Sequence, residues 1–173
     1  MIQVATLPSP LGPLVIASGP AGICGLSFAE RWPQLRAQLR ARFEQRFPAR
    51  PTAQKKDPWA AAERLDAYFA GRLDALDDLP VDPAGTAFQL RVWTTLRRIR
   101  VGTTWSYERL AREVGAAGCA RAAGAANGQN PIPLVLPCHR VIGKDGSLRG
   151  YGGGLARKSW LLTHERARFR AGP

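Results

Sequence analysis

The sequence predicts an α+β protein: a small N-terminal α/β domain with a three-stranded antiparallel sheet, then a mostly helical C-terminal domain carrying a helix-turn-helix. Three observations predict it. Residues 1–29 hold no charge and break into three short apolar runs at Pro/Gly clusters, the pattern of a meander. Apolar residues then recur at helical spacing, up to and beyond the glycine turn Gly115-Ala116-Ala117-Gly118. Finally, residues 1–80 carry 10 Lys/Arg and 8 Asp/Glu, whereas residues 81–173 carry 15 and 5, so the two halves differ electrostatically.

The chain of 173 residues, 45% hydrophobic and 22% charged, is long enough to bury one core or two small ones. Its formal net charge of +12 sits almost entirely in the second half and points to a polyanionic partner, nucleic acid first. Three cysteines, two histidines and no CxxC argue against a metal site. Unpaired thiols fit a reducing compartment, and the expected location is cytoplasmic. Prolines 8, 10, 13 and 20 interrupt the uncharged start, and no basic segment precedes it, so it reads as strands rather than a leader or membrane span.

Ile2, Val4 and Thr6 alternate with Gln3 and Ala5, giving the first strand. Leu14 to Ala17 and Ile23 to Phe28 give the second and third, with Cys24 a core thiol. Trp32 to Phe47 reads as an arginine-rich helix with Leu35, Leu39 and Phe43 on one face. A polar loop over 48–58 precedes a second helix, Ala60 to Ala70, with Leu65, Tyr68 and Phe69. Pro80 and Pro83 mark a boundary: domain 1–80, linker 81–85, domain 86–173.

Thr86 and Gln89 form a capping box before a helix with the apolar stripe Phe88, Val92, Leu96 and Ile99, ended by Gly102. Ser106 caps a short helix, Tyr107 to Val114, with Leu110 and Ala111 inward. After the glycine turn a third helix runs from about Cys119 to Ala126. It is nearly all small residues around one long cation, Arg121, which suits close approach to a nucleic-acid groove or tight helix packing. A last helix, Leu155 to Phe169, should face Trp160, Leu161 and Leu162 to the core and carries Lys158, His164 and Glu165.

Between these helices lies the chemically distinctive stretch, 124–153. Pro131, Pro133 and Pro137 forbid a helix and stiffen the chain, and the apolar run Leu134-Val135-Leu136 delivers Cys138 to a fixed place. Glycines 143, 146, 150, 152, 153 and 154 follow, leaving bare backbone that a flat ligand can approach. A thiolate is the reactive form of cysteine, and Arg140 and other cations would favour it. His139 would relay the thiol proton if a carboxylate fixed its tautomer. Glu165 is one candidate; Glu108, Glu113 and Asp145 are the others.

Four linked motifs carry a family resemblance. Asn130-Pro131-x-Pro133, Pro137-Cys138-His139-Arg140-Val141, Gly150-Tyr151-x-Gly153-Gly154 and Lys158-x-x-Leu161-Leu162-x-x-Glu165 together resemble the methylated-DNA–protein-cysteine methyltransferases, the O6-alkylguanine-DNA alkyltransferases. The resemblance is specific over 86–166 and loose over 1–80. It implies a ribonuclease H-like first domain, a winged-helix-like second domain and no cofactor. It also implies nucleotide flipping followed by one irreversible transfer of an alkyl group from guanine O6 to Cys138.

By the same resemblance, His139 is the water-mediated base and Glu165 its orienter. Asn130 braces the turn before the active strand, and Tyr107 donates toward guanine N3. The carbonyls of Cys138 and Val141 accept from the exocyclic amine, and the Gly152 N–H meets O6 where many relatives have serine. Tyr151, Gly153 and Lys158 line the pocket. Arg121 is the finger that replaces the flipped base, on a helix whose Ala120, Ala122, Gly124 and Asn127 meet the minor groove. The implied partner is double-stranded DNA containing O6-alkylguanine, bound by a monomer, with no membrane involved. Some relatives hold a structural zinc in the first domain; one cysteine and no histidine there predict none. A non-catalytic lesion binder would replace Cys138, and a Cys-His hydrolase would need an oxyanion hole that nothing in the sequence indicates.

Overall fold

The computed structural model describes residues 2–43 and 59–170, which fall in two compact units, Met1–Ala84 and Gly85–Pro173. In the first unit, β1 (Gln3–Leu7), β2 (Leu14–Gly19) and β3 (Gly22–Phe28) form an antiparallel sheet in the order β1-β2-β3. Short Pro/Gly connections leave consecutive strands no room for anything but antiparallel pairing. Ile2 and Val4 are buried but Thr6 is exposed, so the alternation fades along β1. β2 and β3 are buried throughout, and a bulge at Ala17/Ser18 shifts their register.

One face of the sheet packs on α1 (Trp32–Phe43) through Val15, Ala17, Cys24, Leu35 and Leu39. The expected end of this helix at Phe47, and the loop 48–58, lie outside the described residues. α2 (Ala61–Phe69) buries Ala61, Leu65 and Tyr68. The expected linker is partly structural: Ile23 N–H donates to the Pro80 carbonyl (2.9 Å) and Asp82 N–H to the Ile23 carbonyl (2.8 Å). Residues 80–82 therefore extend the sheet edge, because β3 presents backbone groups that must find partners.

In the second unit, α3 (Ala87–Leu96) opens on the expected capping box: Gln89 N–H donates to Thr86 Oγ1 and Thr86 N–H to Gln89 Oε1. Its buried face is Val92, Trp93 and Leu96; Phe88 is only half-buried, and Ile99 is buried in the turn that follows. Ser106 caps α4 (Tyr107–Glu113), accepting from Arg109 N–H at 3.1 Å. Gly115 and Gly118, with φ of 75° and 84°, make the turn into α5 (Ala120–Gly128), a conformation that side chains disfavour. Trp93 Nε1 donates to the Ala126 carbonyl at 2.8 Å and ties α3 to α5.

Two features depart from the sequence expectation. The run 134–136 is not a strand. Leu134 sits at φ 73°, Leu136 N–H donates to the Ile132 carbonyl, and Cys138–Arg140 form a single 3-10 turn after Pro137. Alternating prolines deprive the segment of ladder donors, so it coils instead of pairing. In addition, β4 (Trp105–Ser106) pairs in parallel with β5 (Val141–Ile142).

The last helix, α6 (Leu155–His164), stops five residues early, with Arg166 at φ 57°. Trp160 is 37% exposed and stacks on His164 rather than facing the core. The inward stripe is Lys158, Leu161, Leu162 and Glu165, at spacings of three and four that leave position 160 outside.

Candidate functional site

The 3-10 turn sets Cys138, His139 and Arg140 side by side, all buried. Asn130 holds the chain just before it. Its Nδ2 donates to the Leu136 carbonyl at 2.6 Å while its Oδ1 accepts from Ile132 N–H at 2.9 Å. One amide thus clamps both ends of the proline segment. Leu134 in the left-handed region adds strain, of a size of about 1–3 kcal/mol, that such a clamp must hold.

Glu165 at the end of α6 is the carboxylate that meets His139; Glu108, Glu113 and Asp145 are not its partners. His139 Nε2–H donates to Glu165 Oε1 at 3.0 Å, with both side chains fully buried. Because the carboxylate can only accept, Nε2 carries the proton and Nδ1 keeps its lone pair. Nδ1 is buried with no hydrogen-bond partner among the described residues. Arg140 completes the cluster: Nε donates to Glu165 Oε2 and Nη2 to Oε1, each at 2.8 Å, and Nη1 to the Ile99 carbonyl at 2.6 Å. Burial alone would raise the Glu165 carboxyl, but His139 and Arg140 hold it well below the usual range. Burial lowers the His139 pKa against the pull of Glu165, so the ring is neutral.

The expectation that Arg140 activates the thiol is corrected: its guanidinium is spent on Glu165. Burial pushes the Cys138 thiol up, opposed first by a hydrogen bond with Asn130 and then by the Lys158 charge. Lys158, fully buried on α6, has its ammonium among carbonyls: Nζ donates to Val141 and Arg149 at 2.7 Å and to Gly150 at 3.5 Å. Burial lowers its pKa to about 8. This one side chain fixes both β5 and the start of the loop carrying Tyr151, Gly152 and Gly153.

Tyr107, half-buried at the start of α4, lies with its ring 6.0 Å from Lys158 Nζ. Burial and then the Cys138 charge raise its pKa, so it is a protonated donor. The Tyr151 hydroxyl is buried without a partner among the described residues, and burial raises its pKa well above the usual value. Gly152 is exposed, and Gly153 is half-buried with its carbonyl accepting from Arg157 at 3.2 Å. Tyr107, Ala120, Arg121, Gly124, Lys144 and Arg149 line an open cleft of about 450 Å³. The cleft puts the long cation of α5 beside Tyr107.

The α5 residues grouped in the sequence reading do not share one face. Arg121 and Ala122 are exposed and Ala120 half-buried. Gly124 faces Tyr107: a Cβ there would lie 3.2 Å from Tyr107 Cδ1, so its missing side chain makes room for the phenol ring. Asn127, expected on the groove-facing surface, is 4% exposed and donates from Nδ2 to the Cys138 carbonyl at 3.3 Å. It shares the inward stripe of Ala123 and Ala126, and that i, i+3, i+4 spacing is the signal that could have found it.

Family models match nearly the whole chain: the 6-O-methylguanine DNA methyltransferase ribonuclease-like domain over residues 2–83, and its DNA binding domain over residues 87–167. The methylated-DNA–protein-cysteine methyltransferase of Mycobacterium bovis is 43% identical over 174 residues, covering 99% of this chain and 96% of its own. That of Shigella flexneri is 52% identical over 109 residues, covering 63% of this chain and 64% of its own. A crystal structure of Mycobacterium tuberculosis OGT in complex with DNA superposes with a TM-score of 0.74 at 40% identity, over 95% of this chain and 92% of that one. With both domain models in chain order and the Cys138–His139–Glu165 cluster inside the second, the chain belongs to the 6-O-methylguanine DNA methyltransferase family.

Proposed function

We propose that this protein repairs DNA directly, moving the alkyl group of an O6-alkylguanine to its own Cys138 in a single irreversible turnover. The observation that carries the reading is the buried His139–Glu165 pair next to the buried Cys138 thiol, with His139 Nδ1 free to take a proton. Cys138 Sγ attacks the alkyl carbon in line, the carbon–O6 bond breaks, and its electron pair stays on the purine. The thiol proton passes through water to His139, whose charge Glu165 stabilises. Tyr107 donates toward guanine N3 as charge develops there. The Cys138 and Val141 carbonyls accept from the exocyclic amine, and the Gly152 N–H meets O6. Tyr151, Gly153 and Lys158 shape the pocket around the base. The product is a thioether, which water does not cleave, so the protein is consumed.

The partner is double-stranded DNA, held by the basic second half through phosphate contacts. α5 enters the minor groove, its exposed small residues suiting the narrow space, and Arg121 fills the gap left by the flipped nucleotide. The protein acts as a monomer in the cytoplasm, where Cys24, Cys119 and Cys138 stay as thiols. The test is incubation with a duplex containing one O6-methylguanine, followed by peptide mass spectrometry. The expected result is one methyl group on Cys138, none on Cys24 or Cys119, and no turnover past one equivalent. Cys138→Ser should bind the duplex and transfer nothing. Methyl on Cys119, or continued turnover as in a Cys-His hydrolase, would overturn the assignment.

A further inference from the structure

The open cleft beside Tyr107 is lined by α4, α5 and the hairpin 143–149, and its charges are mixed. Arg121, Lys144 and Arg149 line it, and so do Glu108 and Asp145; all five are exposed. Residues 81–173 hold only five acidic side chains. Glu165 is buried in the His139 cluster, and Glu113 pairs with Arg98 at 2.8 Å. Two of the five therefore stand on the surface that a polyanion is to approach. Neither is loose. Asp145 Oδ1 accepts from Ser147 Oγ at 2.6 Å and from Ser147 N–H at 3.1 Å, and Oδ2 lies 3.6 Å from Arg149 Nη2. Gly143 leaves the room for this: a Cβ there would lie 2.6 Å from Asp145 Oδ1. Glu108, in the first turn of α4, accepts from its own N–H and from the Ser106 hydroxyl, and the Lys144 charge adds to their pull. These contacts hold both carboxyls below their usual range, so both are charged at neutral pH.

A turn and a helix start do not by themselves need these charges. Asparagine makes the same turn as aspartate, and a glutamine oxygen can accept where a glutamate oxygen does. What the amides would lack is repulsion of phosphate. We propose that Glu108 and Asp145 are specificity-determining residues that act by restraint: they engage Lys144 and Arg149 and repel the DNA backbone, so that undamaged duplex is held weakly and released. This rests on the reading in which duplex DNA enters beside α5. Phosphate contacts hold every sequence alike, so a cleft of cations alone would keep the protein on undamaged DNA, which vastly outnumbers lesions. With the grip partly offset, retention at a lesion comes from the base in its pocket.

The experiment measures binding of full-length protein to an undamaged duplex over a salt series. Glu108→Gln and Asp145→Asn should each bind roughly two- to fivefold tighter at low salt, the scale of one exposed charge pair. The plot of log affinity against log salt should steepen by about 0.9 for each phosphate contact that a released cation gains. Transfer from free O6-benzylguanine should not change, because no DNA is held there. Repair of one O6-methylguanine duplex amid excess undamaged duplex should slow. Thermal melting checks that both variants fold, and either one alone decides if the other does not. Unchanged or weaker binding would mean that the two acids only shape the helix start and the turn, and the inference is wrong. The double variant Lys144→Gln, Arg149→Gln separates this from failure of the DNA reading. If it weakens binding while the acid variants do not strengthen it, restraint alone fails; if it leaves binding unchanged, duplex DNA does not use this cleft and both readings fall.

Discussion

Replacing Glu165 with glutamine removes one charge from a cluster that shares it three ways. The carboxylate takes hydrogen bonds from His139 Nε2 and from two nitrogens of Arg140, and it is 2% exposed. The amide can still accept at one oxygen, but its NH2 group faces donors, and Arg140, 5% exposed, is left with its charge uncompensated. Breaking a buried ion pair from one side costs about 3–5 kcal/mol. Since Arg140 keeps its bond to the Ile99 carbonyl, the lower end, about 3 kcal/mol, is expected. For a protein of this size that is a drop in melting temperature of roughly 6–12 °C. The assay is calorimetry at pH 7 with urea unfolding as a check. A pH series adds a sign: the Glu165 carboxyl is depressed below its ordinary value of 4.5, so its stabilisation is full above that pH and is lost as pH falls through the lower folded value. The gap between wild type and variant should therefore narrow below pH 4.5. Transfer should slow on the order of 10²-fold, because His139 loses the negative charge that stabilises its protonated form. A cost below about 1 kcal/mol, the scale of an exposed pair, or a gap that does not narrow in acid, would refute the reasoning.

Other consequences follow from the same geometry. Arg121→Ala should slow single-turnover repair of a paired lesion more than reaction with free O6-benzylguanine, since unstacking costs a few kcal/mol only in the duplex; equal slowing would mean Arg121 supports the fold or the chemistry. Fully methylated protein should melt below unmodified protein, because a methyl group added to the buried Cys138 overpacks its pocket by about 1–3 kcal/mol. Gly124→Ala should leave stability unchanged or raised by up to about 1 kcal/mol through helix propensity. It should nevertheless slow transfer, because the new Cβ displaces the Tyr107 ring; kinetics and melting on the same variant separate the two effects.

Local rules made much of this legible before any coordinates. The Thr86–Gln89 box and the Ser106 cap depend on residues three apart, so sequence contains them whole. Glu165 was one of four carboxylates open to His139 on chemistry alone, and the family resemblance selected it. What stayed hidden depended on polar residues turned inward. Lys158 and Glu165 occupy the core stripe of α6 because each has buried partners, yet by type they look like surface; Trp160 looks like core and is exposed. Arg140 reads as a cation near a thiol, and only the fold shows its charge neutralised by a residue 25 positions away. Asn127 before Gly128 resembles a helix stop, and the Cys138 carbonyl it meets is 11 residues on.

The two-residue parallel ladder, Trp105 with Val141 and Ser106 with Ile142, closes a loop. Tyr107 begins that loop, Cys138 nearly ends it, and α4, α5 and the proline segment lie between. Joining ends 36 positions apart costs entropy that grows only with the logarithm of length, but it must be met before the non-local pairing gives any return. Catalytic competence should therefore arrive late in folding: helices α4 and α5 can form from local contacts, while Tyr107 and Cys138 have no defined separation until the ladder zips. In hydrogen exchange, the amides of residues 141 and 142 should gain protection together with the return of alkyl-transfer activity, and after those within α4 and α5.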